Sequence, residues 1–207
     1  MEKLPSFLEI TYKNFEKIII QRLNEFMNVA SELIFYEFCF CILTPQSSAK
    51  NAIEVQNKLI VLDFFNKKFA PNYLLSDKNH YIRFHNVKSQ RLLNAINFYP
   101  SLLEILSSNL NQYEKRKKIK DNFSGLGMKE SSHFLRNIGY KNLAIIDRHI
   151  LKNLHLCGVL ENTAPPKNEK QYLEIEDKFL KYAIEIGIEM DFLDLLFFAN
   201  STGTVLK

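Results

Sequence analysis

A run at residues 33–43, LIFYEFCFCIL, limits the folds open to this chain. As a helix it is apolar on most faces, so other elements must wrap it on nearly all sides. Glu37 interrupts it, and it is far shorter than the ~20 apolar residues of a membrane span. That leaves the centre of a globular core. The run should stop at Thr44-Pro45, because a residue preceding proline avoids the helical region. With 207 residues, the chain can bury such a helix in one large domain or two small ones. Six glycines and six prolines are few, and valine is sparse beside leucine, isoleucine and lysine, which favours helices over sheets.

The remaining segments also read as helical. Phe15, Ile18, Ile19, Leu23 and Phe26 recur at helical spacing and predict a first amphipathic helix. After a short polar turn holding Gln46, Ser47 or Ser48 is expected to cap a third helix carrying Ala52, Val55, Leu59 and Leu62. Residues 66–72 read as a loop, and 87–98 as a helix capped by Asn86, with Pro100 opening the next. The helix at 110–123 carries a basic run, Lys115, Arg116, Lys117, Lys118 and Lys120, which is either a source of long-range attraction or a solvated face. Beyond the loop at Ala164-Pro165-Pro166, two last helices are expected at about 169–186 and 191–201.

A net charge of +4 and a pI near 8.8 suit a polyanionic partner without requiring one. Cys39, Cys41 and Cys157 form neither a disulfide framework nor a metal-binding C-x-x-C pair, and read as reduced, buried thiols. With no secretory signal or spanning segment, the expectation is a cytoplasmic protein with no membrane partner.

Chemistry concentrates in residues 123–150, FSGLGMKESSHFLRNIGYKNLAIIDRHI. Gly125 and Gly127 permit a tight turn that lies close to another surface, and N–H groups opening the following helix can hold a phosphate. Lys129 falls in the first turn of that helix, where the dipole disfavours an ammonium and leaves more nucleophilic amine. A solvated lysine is the plain alternative. An apolar strip, Leu143 to Ile146, runs into Asp147, which is either only an N-cap or also a rigid anion beside the chemistry. His133, one turn after Lys129, reads as a surface histidine, with a role facing DNA as the alternative.

Gly-x-Gly-x-Lys, followed eighteen residues after the lysine by an aspartate, resembles the signature of the helix–hairpin–helix DNA glycosylase superfamily, whose best-known branch is the endonuclease III group. CILTPQ at 41–46 and FHNVK at 84–88 resemble further segments of it. The chain lacks that group's C-terminal four-cysteine cluster, so no iron–sulfur cofactor, and no metal, is expected. Its AIIDRHIL block and TGTVLK ending look most like the compact archaeal-type 8-oxoguanine DNA glycosylases.

The resemblance implies an all-α fold of two helical subdomains with a DNA-binding cleft between them. One is a helical barrel at 44–140 ending in the hairpin; the other combines 1–43 with 141–207. The implied activity is a DNA glycosylase and abasic-site lyase acting in base excision repair as a monomer on double-stranded DNA that contains an oxidised base. Lys129 would attack the sugar and form a Schiff base, and Asp147 would stabilise positive charge on the sugar. Gly125 and Gly127 would grip a phosphate. Phe84 would enter the gap left by the extruded base, with Gln46 facing the orphaned partner. Lys207, Phe197 and Phe198 would meet the extruded base. Each has an ordinary alternative: core aromatics for the phenylalanines, a turn residue for Gln46 and a frayed end for Lys207. The rival functions are an oxidised-pyrimidine glycosylase/lyase, a non-catalytic DNA-gripping module and a helix-turn-helix regulator.

Overall fold

The computed structural model describes residues 4–207, and no strand occurs among them. The helices are α1 (Ser6–Met27), α2 (Ile34–Leu43), α3 (Ala49–Val61), α4 (Phe64–Lys67), α5 (Asn72–Leu75), α6 (His85–Ser107), α7 (Gln112–Asn122), α8 (Met128–Asn137), α9 (Arg148–Leu156), α10 (Glu169–Ile186) and α11 (Met190–Thr202). They fall into two compact units. Val29–Phe134 forms one, and the residues up to Asn28 join Leu135–Lys207 in the other.

In the Val29–Phe134 unit α2 is the axis, and every residue from Phe35 to Leu43 is buried. Phe35 meets Phe65 at 4.7 Å and Tyr99 at 5.2 Å, while Phe38 meets Phe123 and Phe134, each at 5.2 Å. Removing each such ring from water is worth about 2–3 kcal/mol. The buried carboxylate of Glu37 accepts a bond from Gln56 Nε2 at 2.9 Å, and the same amide donates to Tyr36 O at 3.0 Å. These contacts place residues 29–43 in the middle unit, whereas the sequence reading grouped them with the terminal helices.

Three other local expectations are corrected. Pro100 lies inside α6 rather than opening a new helix. Interior proline costs about 3 kcal/mol; here Leu92, Ala95, Ile96, Tyr99 and Leu102 bury one continuous side of the helix and offset it. Phe84, not Asn86, holds the N-cap position of α6. Ser48 holds the expected N-cap position of α3 but makes no side-chain cap bond, while the hydroxyl of its neighbour Ser47 accepts from Arg83 N and Lys88 Nζ. The expected loop at 66–72 is bounded by the short helices α4 and α5.

The basic run is divided by α7's packing. Lys115 and Arg116 are buried, whereas Lys117 and Lys118 stay exposed. Lys115 Nζ donates to Leu106 O at 2.7 Å, near the end of α6, and Arg116 Nη1 to Ser132 Oγ at 3.1 Å on α8. Two of the five charges therefore tie α7 to its neighbours α6 and α8.

In the other unit α1 packs along α11, which also touches α9 and α10. Met190 to Phe197 are all buried, making α11 the second core helix. The last two helices lie within one residue of the ends their sequence predicts.

Candidate active site

In the Val29–Phe134 unit, α7 and α8 are joined by a turn that Leu126 N closes by donating to Phe123 O at 3.2 Å. Gly125 occupies its third position at φ +97°, where a side chain is disfavoured. A Cβ there would also lie 2.7 Å from Arg91 Cδ and within 2.9 Å of its guanidinium carbon. Gly125→Ala is therefore expected to lower stability by roughly 2 kcal/mol, a Tm drop of about 4–8 °C in thermal melts.

Lys129 lies in the first turn of α8, as its place after the glycines predicts, with its side chain one-third exposed. Sequence reasoning overlooked Glu130. Its Oε1 stands 3.1 Å from Lys129 Nζ, and its Oε2 accepts the Gly127 N–H at 3.1 Å. Gly127-x-x-Glu130 is the spacing of half a capping box, the signal that could have exposed it. The carboxylate thus occupies an amide expected to face phosphate, and it stands where a proton leaving Lys129 Nζ can be received. His133, by contrast, is buried on α8 with its ring 5.4 Å from Phe40, so it is not a surface histidine.

Asp147 belongs to the other unit. The segment before it, Leu143 to Ile146, is buried yet neither helical nor in a sheet. Its amides instead meet side chains from α10 and α11. Ala144 N donates to Glu176 Oε1 at 2.8 Å and Ile146 N to Tyr172 Oη at 3.3 Å, and Asp191 takes Asn142 N at 3.0 Å. Tyr172 Oη also donates to Ala144 O at 2.6 Å. The chain thereby arrives fixed at Asp147, the N-cap of α9. Asp147 Oδ1 accepts both cap bonds, from His149 N at 2.7 Å and Ile150 N at 2.9 Å. Oδ2 carries no hydrogen bond from the described residues, so one oxygen holds the helix and the other is available to a ligand.

Asp194 supports the same segment. It pairs with Arg136 Nη1 at 3.0 Å and receives the Ile145 amide, yet burial, aided by the charges of Asp147 and Asp191, pushes its carboxyl up to about 7. Desolvation outweighs the ion pair here. The folded value exceeds the unfolded ~3.9, so Asp194 favours folding most below about pH 4, and that contribution is lost as pH rises through 7. Across pH 5–7, urea unfolding should show wild type losing up to roughly 1.4 kcal/mol per pH unit relative to Asp194→Asn.

Gln46 and Phe84 are both exposed, and both have left-handed backbone, at φ 55° and 60°. Phe198 is half-buried, edge-on to His149 at 5.4 Å, just beyond Asp147. Phe197 is fully buried and stacked on Phe179 at 5.6 Å, which corrects its expected place against a base: a core ring offers no free face. Lys207 is half-buried rather than frayed into solvent. Among the described residues no cluster of His, Cys, Asp or Glu could hold a metal ion, and no single helix is long and apolar enough to cross a membrane.

Residues 19–188 match the family model described as 8-oxoguanine DNA glycosylase. The chain is 36% identical over 219 residues, the whole of both proteins, to an 8-oxoguanine DNA glycosylase/AP lyase of Fusobacterium nucleatum. It is 35% identical over 190 residues to one of Methanocaldococcus jannaschii, covering 91% of this chain and 89% of that protein. A crystal structure of the Methanocaldococcus jannaschii 8-oxoguanine glycosylase/lyase in complex with 15mer DNA containing 8-oxoguanine is similar at TM-score 0.84 and 32% identity, covering 97% of this chain and 98% of that one. The family match takes in the hairpin, Lys129 and Asp147, and the chain belongs to the 8-oxoguanine DNA glycosylase family.

Proposed function

We propose that the protein is a monomeric, cytoplasmic enzyme of base excision repair that removes 8-oxoguanine from double-stranded DNA and then cuts the strand. The amine of Lys129 attacks C1′, and the glycosidic bond breaks, its electron pair leaving with the base, which takes up a proton. Opening of the sugar ring gives a Schiff base between C1′ and Lys129. Loss of a proton from C2′ then expels the 3′ phosphate, and water releases the aldehyde and restores the amine. Asp147, through its unbonded Oδ2, stabilises the positive charge that develops on the sugar. With only three cysteines, the chain cannot supply a four-cysteine cluster, and these steps call on its own side chains alone.

Extruding the nucleotide costs a few kcal/mol of stacking and pairing. Phe84 fills the vacated space and Gln46 faces the orphaned base. Gly125 and Gly127 approach a phosphate once Glu130 turns from the Gly127 amide. Phe198 and Lys207 lie toward the extruded base.

The observation that carries this reading is the Lys129 amine two residues beyond the hairpin's Gly127, in a chain 36% identical end to end to a relative bearing both activities in its name. Borohydride trapping tests it. A covalent adduct is expected with an 8-oxoguanine duplex and not with undamaged DNA; an adduct with thymine glycol duplexes alone would assign the enzyme to oxidised pyrimidines.

A further inference from the structure

Gln46 and Phe84 belong to separate turns, and both have a backbone conformation that costs a non-glycine residue roughly 1–2 kcal/mol. Such strain persists only where surrounding structure enforces it. Around these turns the enforcement comes from one side chain. Lys88 is 1% exposed. Its ammonium donates to Leu43 O at 2.7 Å, Pro45 O at 2.7 Å and Ser47 Oγ at 3.0 Å, using all three protons. Pro45 and Ser47 are the two neighbours of Gln46. Ser47 Oγ in turn accepts Arg83 N at 3.0 Å, and Lys88's own amide donates to Phe84 O at 3.0 Å. The residues on either side of Gln46, the residue before Phe84 and the carbonyl of Phe84 itself are thus tied together through Lys88 and Ser47.

We infer that Lys88 is a positioning residue for base extrusion, whose ammonium fixes the spacing of Gln46 and Phe84 so that the two side chains enter the duplex together. The inference rests on the roles proposed above for those two residues. A buried lysine is an expensive way to satisfy the carbonyls ending a helix, and burial, with Arg91 and Lys129 nearby, lowers its pKa to about 8. Three convergent acceptors keep it charged at neutral pH and give one point from which both turns are held. An arginine fork could not converge on the same three atoms.

The test is a double-mutant cycle read by single-turnover excision from an 8-oxoguanine duplex and by the fluorescence of 2-aminopurine placed beside the lesion, which rises on extrusion. Lys88→Met is expected to lower both about tenfold, a size typical of residues coupled in one hydrogen-bond network. Ser47→Ala, which removes one tie and leaves the charge, should lower both about threefold and keep the assay informative if Lys88→Met fails to fold. In a Phe84→Ala background each effect should shrink below about twofold, because the wedge to be positioned is gone. Full, additive losses in that background would overturn the inference, as would wild-type extrusion by Ser47→Ala. Should Phe84→Ala and Gln46→Ala themselves extrude normally, the wedge reading fails, and this inference with it.

Discussion

Lys129→Gln is expected to yield no borohydride-trapped adduct and to lower single-turnover excision of 8-oxoguanine about a thousandfold or more, equivalent to ~4 kcal/mol of lost transition-state stabilisation. Glutamine is close in length and equally suited to a helix, but its amide nitrogen is not nucleophilic and cannot form a Schiff base. The fold should be indifferent to the change. Lys129 is one-third exposed, and its pairing with Glu130 at 3.1 Å is an ion pair between sequence neighbours, of a kind worth well under 1 kcal/mol. Thermal melting within about 2 °C of wild type is thus expected alongside the catalytic loss. Base release at the wild-type rate by this variant would remove the amine from the glycosylase step. A trapped adduct would mean that another nitrogen is the nucleophile.

Asp147→Asn separates cap from chemistry. Both cap bonds fall on Oδ1, and asparagine caps helices as well as aspartate does, so the start of α9 should survive. What disappears is the negative charge, together with the acceptor at Oδ2. A loss of about a hundredfold in single-turnover excision is expected, the usual scale for removing one preorganised electrostatic contact, with Tm nearly unchanged. Asp147→Ala should additionally cost about 1 kcal/mol of stability, because it abolishes the cap. If the asparagine variant keeps full activity, Asp147 is a cap and nothing more. Together the two variants distinguish an enzyme from a protein that only grips DNA, since binding requires neither the amine nor the carboxylate.

Features governed by near neighbours in the chain were legible before any coordinates. The burial of α2 follows from its composition, its end from Thr44-Pro45, the turn from Gly125, and the cap of α9 and the bounds of the last two helices from local pattern. The places of Lys129 in the first turn of α8 and of Asp147 at the N-cap of α9 were legible for the same reason, because a turn and a cap each leave a local signature.

Other features depended on partners distant in sequence. Pro100 continues α6 because its flank is buried, a term that local propensity omits. Lys88, Lys115 and Arg116 look like surface charges in sequence and are inward anchors in the fold, since a cation's acceptors can be backbone carbonyls that leave no mark in the residue string. Phe197 and Phe198 are adjacent and chemically identical, yet only the first is enclosed. Composition and spacing thus determined most of the helical segments, where the hairpin turns and where Lys129 and Asp147 fall at the starts of their helices. Tertiary packing decided which charges face inward, how the strip before Asp147 is held and where Gln46 and Phe84 are pinned. Those outcomes depend on which groups meet across tens of residues, and no local pattern encodes that.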